Sequence, residues 1–237
     1  MKKYLVTYGN DSFATQRAFL KKTALAAGFF DEIRIFTPID IDAGFRAQVE
    51  GRLDLKRGGG YWLWKPYLLK TVFDEMERND VLVYCDAGSM INPDGRQRFE
   101  EYLDLLAASK TGTIDFELPH KEYEYTYRAL FDFFKSSEDM INSNQLMATV
   151  LLFRKCARTM KLIDTWYDLA CNKSFLFTDE LHIFPQHIDF IDHRHDQSVF
   201  SLLRKKMGAT IIPDETWFVD FLKEGKGFPF WATRLPK

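Results

Sequence analysis

Three short stretches of this chain hold residues whose types and spacing suit chemistry. The first is Val81-Leu82-Val83-Tyr84-Cys85-Asp86-Ala87-Gly88-Ser89, an apolar run that ends in an acid and a turn. Consecutive apolar residues predict a strand covered on both faces. A carboxylate at the end of such a strand faces the crevice at the carboxyl edge of an open α/β sheet, where ligands bind. There it can hold a metal ion that bridges phosphates. The plainer reading is an Asp that opens a β-turn with the help of Gly88.

The second stretch is Tyr61-Trp62-Leu63-Trp64-Lys65-Pro66-Tyr67. Aromatic faces and an ammonium just before a helix suit stacking and phosphate binding; the alternative is a packed loop with a surface lysine. The third is His193-Arg194-His195-Asp196-Gln197-Ser198, at a helix start where Asp196 would serve as an N-cap. His182, His187, His193 and His195 lie close together among Asp179, Glu180, Asp189 and Asp192. A His-x-His pair without a helical histidine pair and adjacent Glu is a weak zinc signal. Familiar phosphate signatures fail. Gly58-Gly59-Gly60 runs into Tyr61-Trp62 instead of Lys-Ser or Lys-Thr, and Tyr8-Gly9-Asn10 is no GxGxxG. An aspartyl phosphotransferase would want a second acid where Gly88 stands.

The elements that must position these residues alternate. Strands are expected over 4–7, 33–36, 81–85, 111–115, 148–153 and 210–212, and helices over 12–27, 66–76, 95–107, 126–135, 156–170 and 196–207. Gly28 and Gly208 stop two of the helices. Residues 39–60 form a long polar loop, of the kind more often functional than idle. Alternating strand and helix means an α/β sandwich with a mostly parallel sheet. A net charge of −2 gives no basic field for nucleic acid. Three cysteines without a CxxC argue for a reducing compartment. The chain runs from Met1-Lys2-Lys3 straight into a strand, and no apolar run reaches membrane-spanning length, so a cytoplasmic location is expected.

Together these pieces resemble the GT-A glycosyltransferases. Lys65-Pro66-Tyr67-Leu68-Leu69, followed by Asp80-Val81-Leu82-Val83-Tyr84-Cys85-Asp86-Ala87-Gly88, resembles the helix, strand and DxD run of retaining enzymes, families 8 and 32 among them. Asn142-Ser143-Asn144-Gln145-Leu146-Met147-Ala148 and the apolar residues after it occupy the place of the next active-site strand. His195-Asp196-Gln197-Ser198-Val199-Phe200 resembles the Asp-Gln pair opening a late helix in family 8. The Trp62-Leu63-Trp64-Lys65-Pro66 loop is similar to one in glycosyltransferases ascribed to capsule and surface polysaccharides.

The resemblance implies a GT-A, Rossmann-like three-layer sandwich over residues 1–212, followed by an aromatic and basic tail over 213–237. It implies a nucleotide-sugar donor, a UDP-sugar first, against Tyr8, Trp64, Lys65, Asp86, Ala87 and Gly88. Trp62, Asn144, Gln145 and His195 would contact substrate, with Asp86, Asp196 and Gln197 catalytic. The acceptor would be a glycan or a lipid-linked sugar in surface polysaccharide synthesis, and transfer would proceed with retention. Mn²⁺ or Mg²⁺ would sit on Asp86 and His195. The departure is Gly88, where the second DxD acid belongs; without a metal, Lys65 or Arg57 would neutralise the leaving diphosphate. An inverting outcome would need a base, with Asp115 or Glu117 as candidates. The rival readings are a sugar-phosphate transferase and a non-catalytic carbohydrate- or nucleotide-binding protein. The tail either contacts an anionic membrane at its inner face or folds back over the donor.

Overall fold

The computed structural model describes residues 1–233. Its strands are β1 (Lys3–Tyr8), β2 (Glu32–Phe36), β3 (Val81–Cys85), β4 (Met90–Ile91), β5 (Thr113–Lys121), β6 (Asn144–Leu146), β7 (Val150–Arg154), β8 (Ile211–Pro213) and β9 (Phe230–Trp231). The helices are α1 (Ala14–Ala27), α2 (Ala43–Gln48), α3 (Gly58–Tyr61), α4 (Trp64–Glu75), α5 (Arg96–Ala108), α6 (Glu122–Tyr125), α7 (Arg128–Phe134), α8 (Glu138–Ile141), α9 (Ala157–Asn172) and α10 (Asp196–Met207).

The main sheet has the order β2-β1-β3-β7-β5-β6, with β8 also on β5. β1 is parallel to both β2 and β3, and β8 is parallel to β5. β7 is antiparallel to β3 and β5, and β6 is antiparallel to β5. Most strands therefore point the same way, and β6 and β7 oppose them. β6 and β7 pair with β5 in nearly the same register, through Glu117↔Leu146 and Thr113↔Phe153. They are one strand broken at residues 147–149.

β3 is buried throughout, as its apolar run predicts. Successive side chains of a strand face opposite ways. Leu82 and Tyr84 join one core with α4, α9 and α10, where Trp166 stacks on Phe200 with centroids 3.7 Å apart. Val81, Val83 and Cys85 join the other, with α1 and α5. Two helical layers on one sheet make the three-layer sandwich.

Residues 213–233 of the tail do not stand apart from this body; residues 234–237 lie outside the described residues. β9 pairs antiparallel with β4. Phe230 is buried in the second core, and the Asn92 amide donates to the Lys226 and Phe228 carbonyls. The Thr233 hydroxyl donates to the Gly88 carbonyl at 2.9 Å, which brings the tail to the turn after β3. Trp217, Val219 and Leu222 remain exposed. Among the described residues no helix is long and apolar enough to cross a membrane.

Candidate active site

Asp86 follows β3 directly and stands at the carboxyl edge of the sheet. Its N–H donates to the Thr149 carbonyl at 2.9 Å, which ties it to the strand break. Its Oδ1 accepts from the Tyr84 hydroxyl at 2.6 Å and lies 3.4 Å from the Lys65 ammonium. Burial, with the charge of Asp86, pushes the Tyr84 hydroxyl well above its ordinary pKa, so it stays a proton donor.

Lys65 sits in the first turn of α4. Pro66 is tolerated beside it because the first helical N–H groups have no partner within the helix. The Lys65 side chain turns inward and is only 2% exposed. Its Nζ donates to Asp196 Oδ2 at 2.5 Å and to the Ala148 carbonyl at 3.1 Å, and lies over the Tyr84 ring. Burial by itself disfavours the ammonium, but the charges of Asp196 and Asp86 outweigh it and raise the pKa. Lys65 is a buried charge held by two acids, where a surface lysine was the plainer expectation.

Asp196 is the first residue of α10 and is buried. The N-cap of that helix is His195, so the capping role foreseen for Asp196 is not the one it has. Its carboxylate meets Lys65 instead. Burial lifts the Asp196 pKa to about 6, against the opposing pull of Lys65. Gln197 is held on both sides: its Oε1 accepts from the Ala148 N–H at 3.1 Å and its Nε2 donates to Gln145 at 2.7 Å.

Two cavities meet at this cluster. One, of about 310 Å³, is lined by Tyr8, Gly9, Asn10, Phe13, Lys56, Gly58, Gly59, Trp62, Trp64, Asp86, Ala87 and Gly88. Tyr8 stacks on Trp64 there, with ring centroids 3.9 Å apart. The other, of about 290 Å³, is lined by Arg57, Trp62, Lys65, Asp86, the strand break Met147, Ala148 and Thr149, and by Asp192, Arg194, His195, Asp196 and Gln197, among others. Asp86 and Trp62 belong to both.

The wall between the cavities is strained. Gly58, Gly59, Gly60, Tyr61 and Trp62 have φ of 58°, 58°, 94°, 53° and 56°, a left-handed turn of five residues. Glycine enters that region freely, but tyrosine and tryptophan do so only at a cost. A Cβ on Gly60 would come within 2.5 Å of the Leu53 Cα. His195 also has positive φ, 49°, and stacks on Trp62 with centroids 5.6 Å apart. Strained residues of this kind cluster at ligand clamps and active sites.

Of the residues singled out from the sequence, Tyr8, Trp64, Asp86, Ala87 and Gly88 gather at the first cavity, and Trp62, Lys65, His195, Asp196 and Gln197 at the second. Gln145 is fully buried behind Gln197 and also donates to Ser198 and Thr126, so it positions a lining residue. Asn144 lines neither cavity; its carbonyl accepts from Lys205. Asp115 is buried and paired with Arg204 at 2.8 Å, which removes it as a base. Glu117 lies on β5 and lines neither cavity. Sequence reasoning missed Tyr84, although strand alternation places it on the same face as Asp86. It also missed the main chain of the strand break, which no side-chain motif marks.

The donor set does not fit a metal ion. Among the described residues no group of three His, Cys, Asp or Glu side chains converges. Asp86 Oδ1 is already engaged by a hydroxyl and an ammonium. His195 Nδ1 lies 2.8 Å from the Phe177 carbonyl, which can only accept, so that nitrogen carries the proton. Its Nε2 is buried without a partner. Burial holds the imidazoles of His193 and His195 below their ordinary pKa, hence neutral. The aggregate is two carboxylates around a fixed cation, with the His195 imidazole stacked beside it on Trp62.

The architecture is that of the GT-A glycosyltransferases, as the sequence resemblance implies. Over 98% of this chain and 94% of its own, the crystal structure of a glycosyltransferase involved in the glycosylation of the major capsid of PBCV-1 is similar, with 9% identity and a TM-score of 0.53. Mouse xyloside xylosyltransferase 1 aligns over 97% of both chains with 11% identity and a TM-score of 0.47. No family model and no curated protein sequence matches the chain.

Proposed function

We propose that this chain is a glycosyltransferase that moves a sugar from a nucleotide-sugar donor, a UDP-sugar first, to a glycan or lipid-linked acceptor in surface polysaccharide synthesis in the cytoplasm. One observation carries the reading: the Asp86–Lys65–Asp196 cluster lies at the carboxyl edge of the sheet, where two cavities meet. The aromatic cavity beside Tyr8 and Trp64 suits a nucleoside, and the polar one beside Asp196 and Gln197 suits the donor sugar and the acceptor. The diphosphate would cross at Asp86.

In the reaction the bond between the anomeric carbon and the diphosphate oxygen breaks, and its electron pair leaves with the diphosphate. The acceptor hydroxyl oxygen bonds to the anomeric carbon, and its proton passes to the leaving diphosphate oxygen. Negative charge grows on the leaving oxygens and positive charge on the sugar ring. Cations stabilise the first and a carboxylate or amide oxygen the second. In this reading Lys65 takes the first role, and Asp196 and Gln197 the second. Retention of configuration needs no base on the far face; the burial of Asp115 and the position of Glu117 favour it.

The test is release of sugar from UDP-, GDP-, CMP- and dTDP-sugars, with product anomers read by NMR. Wild type should hydrolyse one donor slowly. Asp86→Asn removes one of the two carboxylates that hold Lys65 and should lower that rate about a hundredfold, the scale of misplacing a catalytic group. Turnover of no donor, or unchanged turnover in Asp86→Asn, would sink the reading.

A further inference from the structure

The position where a divalent cation would be expected on this fold is already held by a cation of the chain itself. We infer that the Lys65 ammonium takes the place of the metal ion, so that the donor diphosphate is bound and released without a divalent cation. The inference rests on the glycosyltransferase reading above and goes beyond it.

Three observations carry it. The turn after Asp86 supplies no second carboxylate, because Gly88 stands there, and among the described residues no set of three ligating side chains converges. Asp86 Oδ1 accepts from Tyr84 at 2.6 Å and faces Lys65 at 3.4 Å. Lys65 is buried and anchored at 2.5 Å on Asp196 and at 3.1 Å on the Ala148 carbonyl, so it cannot swing into solvent to make room. A Mg²⁺ or Mn²⁺ ion needs oxygen ligands near 2 Å in a regular shell. On Asp86 such an ion would stand close to a fixed like charge, since the Lys65 ammonium lies 3.4 Å from the Asp86 carboxylate, and the two would repel. Further cations flank Asp86 on both sides: Lys56 at the first cavity, Arg57 and Arg194 at the second. Arg57 also pairs with Asp179 and Asp192, at 3.4 and 2.7 Å.

In the group-transfer step the electron pair of the broken C–O bond moves to the diphosphate oxygen, the acceptor oxygen bonds to the anomeric carbon, and the acceptor proton passes to the leaving diphosphate. The growing charge is met by ammonium and guanidinium groups, and no electron transfer is involved.

The experiment is calorimetric titration of UDP, GDP, CMP and dTDP into the full chain, once in EDTA and once in Mn²⁺ or Mg²⁺. The expected result is a nucleotide whose Kd in EDTA lies within about threefold of that with metal, a small free-energy difference. Binding that appears only with metal, or tightens more than about tenfold, would overturn the inference and leave the glycosyltransferase reading standing. No binding of any nucleotide under either condition would remove both. Lys65→Met should weaken binding in EDTA more than Lys65→Arg does, with folding followed by circular dichroism. Should Lys65→Met fail to fold, the comparison of EDTA with metal decides alone.

Discussion

At the scale of the residue, the site is a problem of holding three charges together, two of them buried. Lys65 is held between two carboxylates, whose charges raise its pKa, and it in turn pulls Asp196 down against the effect of burial. Asp196 is the one that titrates within reach of neutral pH, at about 6, because burial opposes its charge. A carboxyl raised on folding binds its proton more tightly in the native chain. Its contribution to stability is therefore fully present below the ordinary carboxyl pKa and is lost as pH rises through about 6. Activity runs the other way, because an ionised Asp196 is needed opposite a positive ring. The rate of donor hydrolysis should fall below pH about 6, and the acid limb should be absent from the residual rate of Asp196→Ala. A limb that persists in Asp196→Ala would assign it to another group. Gln197 has no such proton, and Gln197→Ala should lower turnover without moving the limb.

At the scale of the element, the pieces that shape the site are irregular ones. The break between β6 and β7 frees the Ala148 N–H and carbonyl from the ladder, and the first goes to Gln197, the second to Lys65. Arg204 of α10 braces the break by donating to the Leu146 and Met147 carbonyls. The left-handed turn from Gly58 to Trp62 shapes the wall between the cavities. Gly60 is the residue it can least replace, with φ of 94° and a Cβ position 2.5 Å from the Leu53 Cα. Gly60→Ala should cost about 1–3 kcal/mol in denaturant unfolding, and donor binding should weaken as Trp62 shifts. A mutant as stable as wild type would mean that the turn is not strained.

At the scale of the whole molecule, the tail and the domain form a single body. Phe230 packs in the second core against Tyr102 and Phe99, so removing residues after Pro213 would expose that core. A membrane role must therefore be tested on the surface. Trp217, Val219 and Leu222 are exposed beside Lys223, the composition of a peripheral contact with anionic lipid. The chain should sediment with anionic vesicles at low salt and less so at high salt. Trp217→Ala with Leu222→Ala should abolish this and leave the melting temperature within a few degrees. Absence of binding at low salt would assign the patch to something other than a membrane. The sequence by itself determined the alternation of strand and helix, the buried strand ending at Asp86 and the lysine beside Pro66, because periodicity and turn chemistry are local properties of the chain. It also marked Asp196 and Gln197 as a pair at a helix start. Only the tertiary structure decided that Lys65 lies between Asp86 and Asp196, that Gln145 stands behind Gln197, and that Asp115 is locked to Arg204. Those contacts join residues far apart in sequence, and their strength comes from the exclusion of water, which no local pattern records. The antiparallel turn of β7 is the same kind of fact: its apolar residues fit a buried strand in either direction, and the sheet as a whole chooses one.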